Sequence, residues 1–291
     1  MRRARLAGLA LCFGLLAPAL LHAQGRIEGS VLNGTTGRPV PNQKVLLLTP
    51  KQGEGMQLIT DTTTDSSGHF TFTGNGVGPG GFFLLQANFD QIPYHSAVPP
   101  MKYDAQGVAT MDITVYDSTH DASAFQVRSL RVLVGAEGPK LRVQEEYQVD
   151  NTSKPGRTYS STDGTFDFFV SPQAGPPTVS VTGLANMSLP QTTAPGKAPG
   201  EYKIFYALKP GLTPVTVAYD VDYSGGQFAL NDRCAFPIAH TEMFVLPASL
   251  QVKSTVFKPS GVDTANNIQR FEANDVPKGT PLVASASGEA P

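Results

Sequence analysis

The sequence predicts an all-β fold made of two consecutive β-sandwiches, and three observations carry this prediction. Apolar and polar residues alternate along almost every patterned segment, which is the spacing of a half-buried strand. Turn-forming clusters separate these segments, and Gly and Pro together make up 53 of the 291 residues. No apolar repeat of period 3.6 is sustained after the first 23 residues. Short strands joined by Gly/Pro turns, without intervening helices, are typical of antiparallel sandwiches.

The first element, residues 1–23, has the three parts of an export signal: a basic start, an apolar run and a small-residue cleavage site. These parts are, in order, Arg2 to Arg5, Leu6 to Leu21, and Leu21-His22-Ala23. The apolar run is too short and too rich in small residues to favour a spanning helix. We therefore expect an exported protein, periplasmic, secreted or at the cell surface, with no transmembrane span once the signal is removed.

Charge and cysteine content exclude several kinds of partner. Without the signal the chain carries 19 basic and 24 acidic residues, a formal net charge of −5, so it has no general attraction to nucleic acids or anionic lipids. Cys12 lies within the signal, which leaves Cys234 and excludes an internal disulfide. We interpret Cys234 as a half-buried structural thiol, because the sequence nominates no histidine as its catalytic partner.

Residues 25–48 have the pattern expected of a first sandwich sheet. Alternating inward residues define a strand, a Gly-Pro turn with positive φ at the glycine reverses the chain, and an apolar run forms a strand covered on both faces. The residues concerned are, in order, Ile27, Gly29 and Val31, then Gly37 and Pro39, then Val45 to Leu48.

A hairpin follows over Thr62–Phe72, in which Asp65 opens a turn that Gly68 closes. A Pro-Gly-Gly turn then leads into an aromatic strand at residues 82–88. Together these features resemble carboxypeptidase regulatory-like domains, a transthyretin-like (prealbumin-like) β-sandwich family, over roughly residues 25–116. The resemblance implies the accessory sandwich without the enzyme, because the family's peptidase is a separate zinc domain with a His-x-x-Glu pair that this chain lacks.

A boundary near residue 118 is predicted from Asp117–Ser123, a polar stretch without apolar periodicity. The first domain would then cover residues 24–118 and a second antiparallel β-sandwich residues 119–285, with residues 286–291 as a flexible tail. The small polar end from Pro277 onward is expected to fray. The second region resembles the partner region of secreted bacterial proteins that carry such a domain after a signal peptide. Its clearest alternating strands lie at 125–134, 141–149, 166–170, 202–208 and 215–223.

The candidate binding surface is a group of three aromatic residues, Tyr94, Tyr103 and Tyr116, near the end of the first domain and around the Pro99-Pro100 loop. One interpretation is that these rings stack on sugar faces. The other is that they pack under the loop and against the second domain. The second is favoured, because the chain has no Trp, the residue that stacks most strongly.

No residue set predicts a catalytic, cofactor or metal site. Gly76–Gly81 fits the pattern G-x-G-x-x-G, but a strand rather than a helix follows, so no phosphate site is expected. Asp65 is explained as a turn opener rather than a metal ligand. His240 and Glu242 would share one strand face, but no third ligand lies nearby in sequence.

Glu145 stands on the otherwise apolar face of its strand. An isolated buried carboxylate is unfavourable, so we expect Glu145 near a strand end or paired with Arg128 or Arg131. A catalytic role is not predicted, because the sequence nominates no second carboxylate.

These observations predict an exported, non-catalytic accessory or scaffold protein of the bacterial envelope, without a cofactor. It would bind an envelope protein or polysaccharide through sandwich edges and loops, because an edge strand offers unpaired backbone groups without any special motif. One alternative is a carbohydrate-binding module, which needs exposed coplanar aromatics. Another is an envelope metal-dependent hydrolase, which needs His240, Glu242 and a distant ligand to converge.

Overall fold

The computed structural model describes residues 25–288 except 75, 97–101, 172 and 224–226. These residues form 25 strands and two short 3₁₀ helices without an α-helix, so the prediction of an all-β fold is confirmed. The export signal, the Pro99-Pro100 loop and the last three residues of the expected tail lie outside the described residues. Within the described part, no helix has the length and apolar character needed to cross a membrane.

The first nine strands form two sheets that enclose one core. Their bounds are β1 Arg26–Asn33, β2 Arg38–Pro39, β3 Lys44–Lys51, β4 Gly55–Thr63, β5 His69–Thr73, β6 Leu84–Phe89, β7 Ile92–His95, β8 Val108–Thr110 and β9 Ile113–Val115. One sheet joins β1 to β2, β5, β8 and β9, and the other has the order β4-β3-β6-β7. Their inward side chains form one buried cluster, in which Ile27 of β1 and Leu47 of β3 are fully buried.

The turns predicted for this unit are present. Gly37 has a φ of 70°, the left-handed conformation expected at that position. The Asp65 carboxylate accepts hydrogen bonds from the backbone N–H groups of His69 and Ser67 at 2.9 and 2.8 Å. These bonds, first that from His69, lower the pKa of Asp65. The hairpin turn is therefore held by Asp65, as its sequence predicted.

Strand β1 is the centre of its sheet, pairing antiparallel with β5 and parallel first with β8 and then with β9. Residues 111 and 112, between β8 and β9, cross over β1 and form what we call the β8–β9 crossing. Met111 N–H donates to the Glu28 carbonyl and Ser30 N–H donates to the Asp112 carboxylate, both at 2.8 Å. At this crossing the Met111 carbonyl oxygen lies 1.9 Å from the position that a Cβ on Gly29 would occupy. The crossing therefore requires glycine at position 29.

The second unit begins at β10 and ends with β25. Its strands are β10 Ser118–Thr119, β11 Phe125–Glu137, β12 Lys140–Asn151, β13 Thr158–Tyr159, β14 Phe166–Phe169, β15 Thr178–Thr182, β16 Ser188–Gln191, β17 Ala194–Pro195, β18 Glu201–Ile204, β19 Gly211–Asp222, β20 Gln227–Arg233, β21 Ile238–Leu246, β22 Gln251–Ser254, β23 Lys258–Asp263, β24 Ile268–Val276 and β25 Pro281–Ser287. The 3₁₀ helices are Ala122–Ala124 and Leu184–Asn186.

An eight-stranded sheet in the order β16-β15-β19-β12-β11-β21-β24-β23 dominates this unit. Two three-stranded sheets, β14-β18-β17 and β20-β25-β22, share a second buried cluster with its inner face. The alternation predicted for β12 and β19 is confirmed: Leu141 and Val143 of β12 and Val215 and Val217 of β19 are fully buried, while the intervening residues face outward.

Most strand pairs are antiparallel, and the sheets also contain parallel pairs. β11 pairs with β21 in parallel at the middle of the eight-stranded sheet. The connection between them is long enough for the crossover that a parallel pair needs.

The fraying expected from Pro277 onward does not extend to β25. This strand lies between β20 and β22, and Leu282, Ala284 and Ala286 are 2–4% exposed. Their period-two spacing puts all three on the inner face, so this strand is part of the core and not a mobile tail.

Candidate functional site

Tyr94, the first of the three predicted binding aromatics, is buried at the junction between the two units. Its side chain is 2% exposed. Its hydroxyl donates to the Tyr116 carbonyl oxygen at 3.0 Å and lies 2.7 Å from Thr158 Oγ1, whose hydroxyl then donates back. Tyr94 therefore contacts the second unit and offers no exposed ring face to a ligand, which fits the favoured interpretation of packing against the second domain and not the interpretation of stacking on sugars.

Tyr116 and Tyr103 are half-buried against the first core. The Tyr116 ring centroid lies 6.3 Å from that of Tyr94. The Tyr103 hydroxyl is buried and has no hydrogen-bond partner among the described residues. The three rings thus pack within the first unit and its junction instead of forming a flat stacking surface.

Lys209 reaches this junction from the second unit. Its Nζ donates to the Pro93 carbonyl oxygen at 2.5 Å and lies 4.9 Å from the Tyr94 ring centroid, within cation–π distance. Burial lowers the pKa of Lys209 to about 8. Burial, and secondarily the charge of Lys209, lower the pKa of His95 to about 4. Two basic groups therefore share a partly dry site in which each loses its proton more easily than in water.

The junction is expected to make the fold sensitive to acid. An unfolded chain protonates His95 near its ordinary pKa of 6.5, whereas the folded chain resists protonation until about pH 4. Acidification through this window therefore favours unfolding, by about 1–2 kcal/mol after allowance for partial solvent exposure. Urea unfolding at pH 7, 5.5 and 4.5 should show a smaller acid loss for His95→Gln than for the wild type. The exposed His69 provides the control H69Q, and equal acid losses in wild type and H95Q would refute this prediction.

A cleft of about 510 Å³ opens beside the junction, and we name it the junction cleft. It is bounded by the β6–β7 turn, the connection between the units, and the segments that follow β13 and β18. Its walls include Asp90, Gln91, Ser118, His120, Gln191 and Phe205. No sequence pattern singles these residues out, because they come from separate loops and strand ends with no common spacing.

The free margin of the four-stranded sheet, named here the β4 edge, is Gly55–Thr63. Among the described residues β4 has β3 as its one sheet neighbour. Its Met56, Leu58 and Ile59 side chains are 41%, 56% and 38% exposed. The β4 edge thus combines unpaired backbone groups with exposed apolar side chains.

Glu145 is fully buried within the second core, away from any surface site. Its carboxyl group accepts hydrogen bonds from the Tyr147 hydroxyl at 2.5 Å and the Tyr219 hydroxyl at 3.2 Å. Both alternatives expected for Glu145 are wrong: it lies in the middle of β12, and Arg128 and Arg131 are exposed and pair with other carboxylates. Two tyrosine hydroxyls therefore donate to this buried carboxyl group within the core.

His240 and Glu242 lie together on the outer face of the eight-stranded sheet, with Nε2 and Oε1 3.9 Å apart. His240 Nδ1 is 2.7 Å from Asn274 Oδ1. Within the described part of the chain, no three His, Cys, Asp or Glu side chains come close enough to hold a metal ion. These residues therefore do not supply the set of metal ligands that the hydrolase alternative requires.

The sequence matches no protein-family model. It also matches no curated protein. Among solved structures it is similar to two of leukotriene A4 hydrolase from the yeast Saccharomyces cerevisiae, with TM-scores of 0.36 and 0.37, identities of 14% and 13%, and coverage of 58% of this chain and 30% of theirs. An M1 zinc metallopeptidase from Deinococcus radiodurans gives a TM-score of 0.33, 10% identity, and coverage of 56% of this chain and 42% of its own. The matched part thus spans less than half of each of these enzymes. Such TM-scores and identities assign neither a fold family nor an activity.

Proposed function

We propose that this chain is an exported, non-catalytic accessory protein of the bacterial envelope, and that it holds an extended apolar segment of a protein partner on the β4 edge. The observation that carries the proposal is a nine-residue sheet margin with three exposed apolar side chains. A partner strand added there gains backbone hydrogen bonds for affinity and side-chain contacts for specificity. Export and the regulatory-like sandwich are parts of the same proposal and rest on the sequence pattern.

The β4 edge suits this role better than the margins of the large sheet. Natural proteins protect their edges with proline, glycine irregularities or very short strands. The margin strand β16 has four residues and contains Pro190, and the margin strand β23 contains Pro259 and Gly261. Strand β4 contains no proline, and its Asp61 carboxylate is neutralised by Lys44 at 3.0 Å. Of these margins, β4 is therefore the longest and the one without proline.

A β-bulge divides the β4 edge and limits what can pair with it. The register shifts so that Leu48 pairs with Leu58 and Leu47 with Thr60, which leaves Ile59 without a partner on β3. A bulge bends the strand and interrupts its ladder. The edge therefore presents two short runs that favour a short partner segment over open-ended stacking of like strands.

Site-specific crosslinking tests the proposal. A photoreactive residue at Leu58 should capture one specific envelope protein, and the same residue at Val262, which is 60% exposed on β23, is the matched control. The captured protein, once purified, should protect the amides of β4 from hydrogen exchange, and Leu58→Lys should abolish that protection. Capture that is equal at both positions, or a partner that leaves β4 exchange unchanged, would count against this function. Retention on a polysaccharide without protein capture would favour the carbohydrate-binding alternative.

A further inference from the structure

We propose that the junction cleft binds a short neutral oligosaccharide, with Phe205 as its stacking surface and Asp90, Gln91 and Gln191 as its hydrogen-bonding groups. This site is separate from the β4 edge and from the three tyrosines that the sequence nominated. Its volume of about 510 Å³ lies within the range of small-molecule sites.

The turn that forms one wall of the junction cleft is strained. Asp90 and Gln91 are the two central residues of the β6–β7 hairpin, since Phe89 pairs with Ile92. Their φ angles are 49° and 63°, so both occupy the left-handed region, where hairpin turns strongly prefer Asn-Gly. A sequence selected for stability alone would carry glycine at the second position. Asp90 and Gln91 instead carry a carboxylate and an amide and line the cleft, and strained backbone positions cluster at functional sites.

The polar groups of the cleft suit a ligand with many hydroxyl groups. Asp90 Oδ2 accepts a hydrogen bond from Ser118 Oγ at 3.3 Å, which leaves Oδ1 for a ligand. Gln191 Nε2 donates to its neighbouring backbone carbonyls, which leaves Oε1 as an acceptor. His120 Nδ1 lies 2.7 Å from the Ser160 carbonyl oxygen, so Nδ1 carries the proton and Nε2 is available. Asp90 Oδ1 and Gln191 Oε1 are both acceptors, so the cleft suits a ligand that donates through several hydroxyl groups.

An aromatic surface and a balanced charge complete the site. Phe205 is 50% exposed and lines the cleft, so its ring is available to the C–H face of a sugar. The Asp90 carboxylate and the Lys209 ammonium group, both in the lining, carry opposite charges. A cleft without a dominant charge favours a neutral ligand over a phosphorylated or strongly acidic one.

Calorimetric titration of the purified protein with three neutral trisaccharides, maltotriose, cellotriose and triacetylchitotriose, tests the inference. At least one should bind, and Phe205→Ala should weaken that binding by about fivefold or more, as should Gln191→Ala. Met187→Ala is the control, because Met187 is 52% exposed and lies outside the cleft lining. Failure of all three sugars to bind, or binding that is insensitive to both cleft variants, would overturn the proposal.

A second variant separates ligand binding from folding. Gln91→Gly relieves the left-handed strain, so it should raise Tm by about 1–2 °C while it weakens sugar binding. A gain of stability together with a loss of affinity supports a functional turn. Unchanged affinity in Q91G would mean that the turn takes no part in binding and would remove this wall from the proposed site. Leu58→Lys should leave sugar binding intact, so failure at the β4 edge and failure at the cleft are distinguishable.

Discussion

Gly29→Ala is expected to destabilise the first sandwich by about 3 kcal/mol or more, which is a large fraction of the stability of a typical domain. The added Cβ would lie 1.9 Å from the Met111 carbonyl oxygen and 2.8 Å from the Phe70 ring. The oxygen belongs to a backbone whose neighbouring amide is held by Glu28, so it has no rotamer through which to move away. Relief therefore requires separation of β1 from the β8–β9 crossing.

Gly135→Ala is the matched control for this prediction. Gly135 also lies within a strand, β11, but a Cβ there would meet no atom within 4 Å and its φ is not positive. Alanine should be neutral or slightly stabilising, because it lowers the entropy of the unfolded chain. Guanidinium unfolding of both variants gives the comparison. Equal stability of G29A and G135A would mean that β1 and the Met111 carbonyl oxygen can move apart at little cost.

The elements that could be predicted from the sequence are those defined by short-range periodicity. The period-two pattern of β12 assigned Leu141 and Glu145 to the inner face, and the side chain of each is fully buried. The Asp65 turn was predictable for the same reason, because its donors at Ser67 and His69 lie two and four residues away. Such features depend only on neighbours along the chain.

The contacts that build the junction could not be predicted in this way. Tyr94 contacts Thr158 across 64 positions, and Lys209 reaches Pro93 across 116. The pattern around Tyr94 favoured an aromatic cluster packed against the second unit, but the partner Thr158 depends on a placement of that unit that no local spacing encodes. Phe205 was missed for the same reason: its exposed ring becomes part of a cleft only together with loops that come from other parts of the chain.

Glu145 is an example of a residue whose position was predictable from the sequence and whose contacts were not. Its face was predictable, whereas its partners were not, because Tyr219 lies 74 positions away on β19. Glu145 pairs in register with Val217, so Tyr219 is its diagonal neighbour on the same face of the sheet. A shift of β19 by two residues would carry that hydroxyl away from the carboxyl group. The buried carboxyl group therefore opposes register slippage between β12 and β19.

Tyr147→Phe should accordingly destabilise the second unit by about 1.5–3 kcal/mol, because it removes a short hydrogen bond to a buried carboxyl group. Tyr219→Phe should cost less, since its hydroxyl lies at 3.2 Å rather than 2.5 Å from the carboxyl oxygen. Tyr103→Phe is the chemically identical control: its hydroxyl is buried without a partner among the described residues, so its removal should be neutral or stabilising. Urea midpoints of the three variants provide the measurement. Equal losses in Y147F and Y103F would show that the cost lies in the hydroxyl's volume rather than in its bond to Glu145, and that Glu145 does not hold the register of β12 and β19.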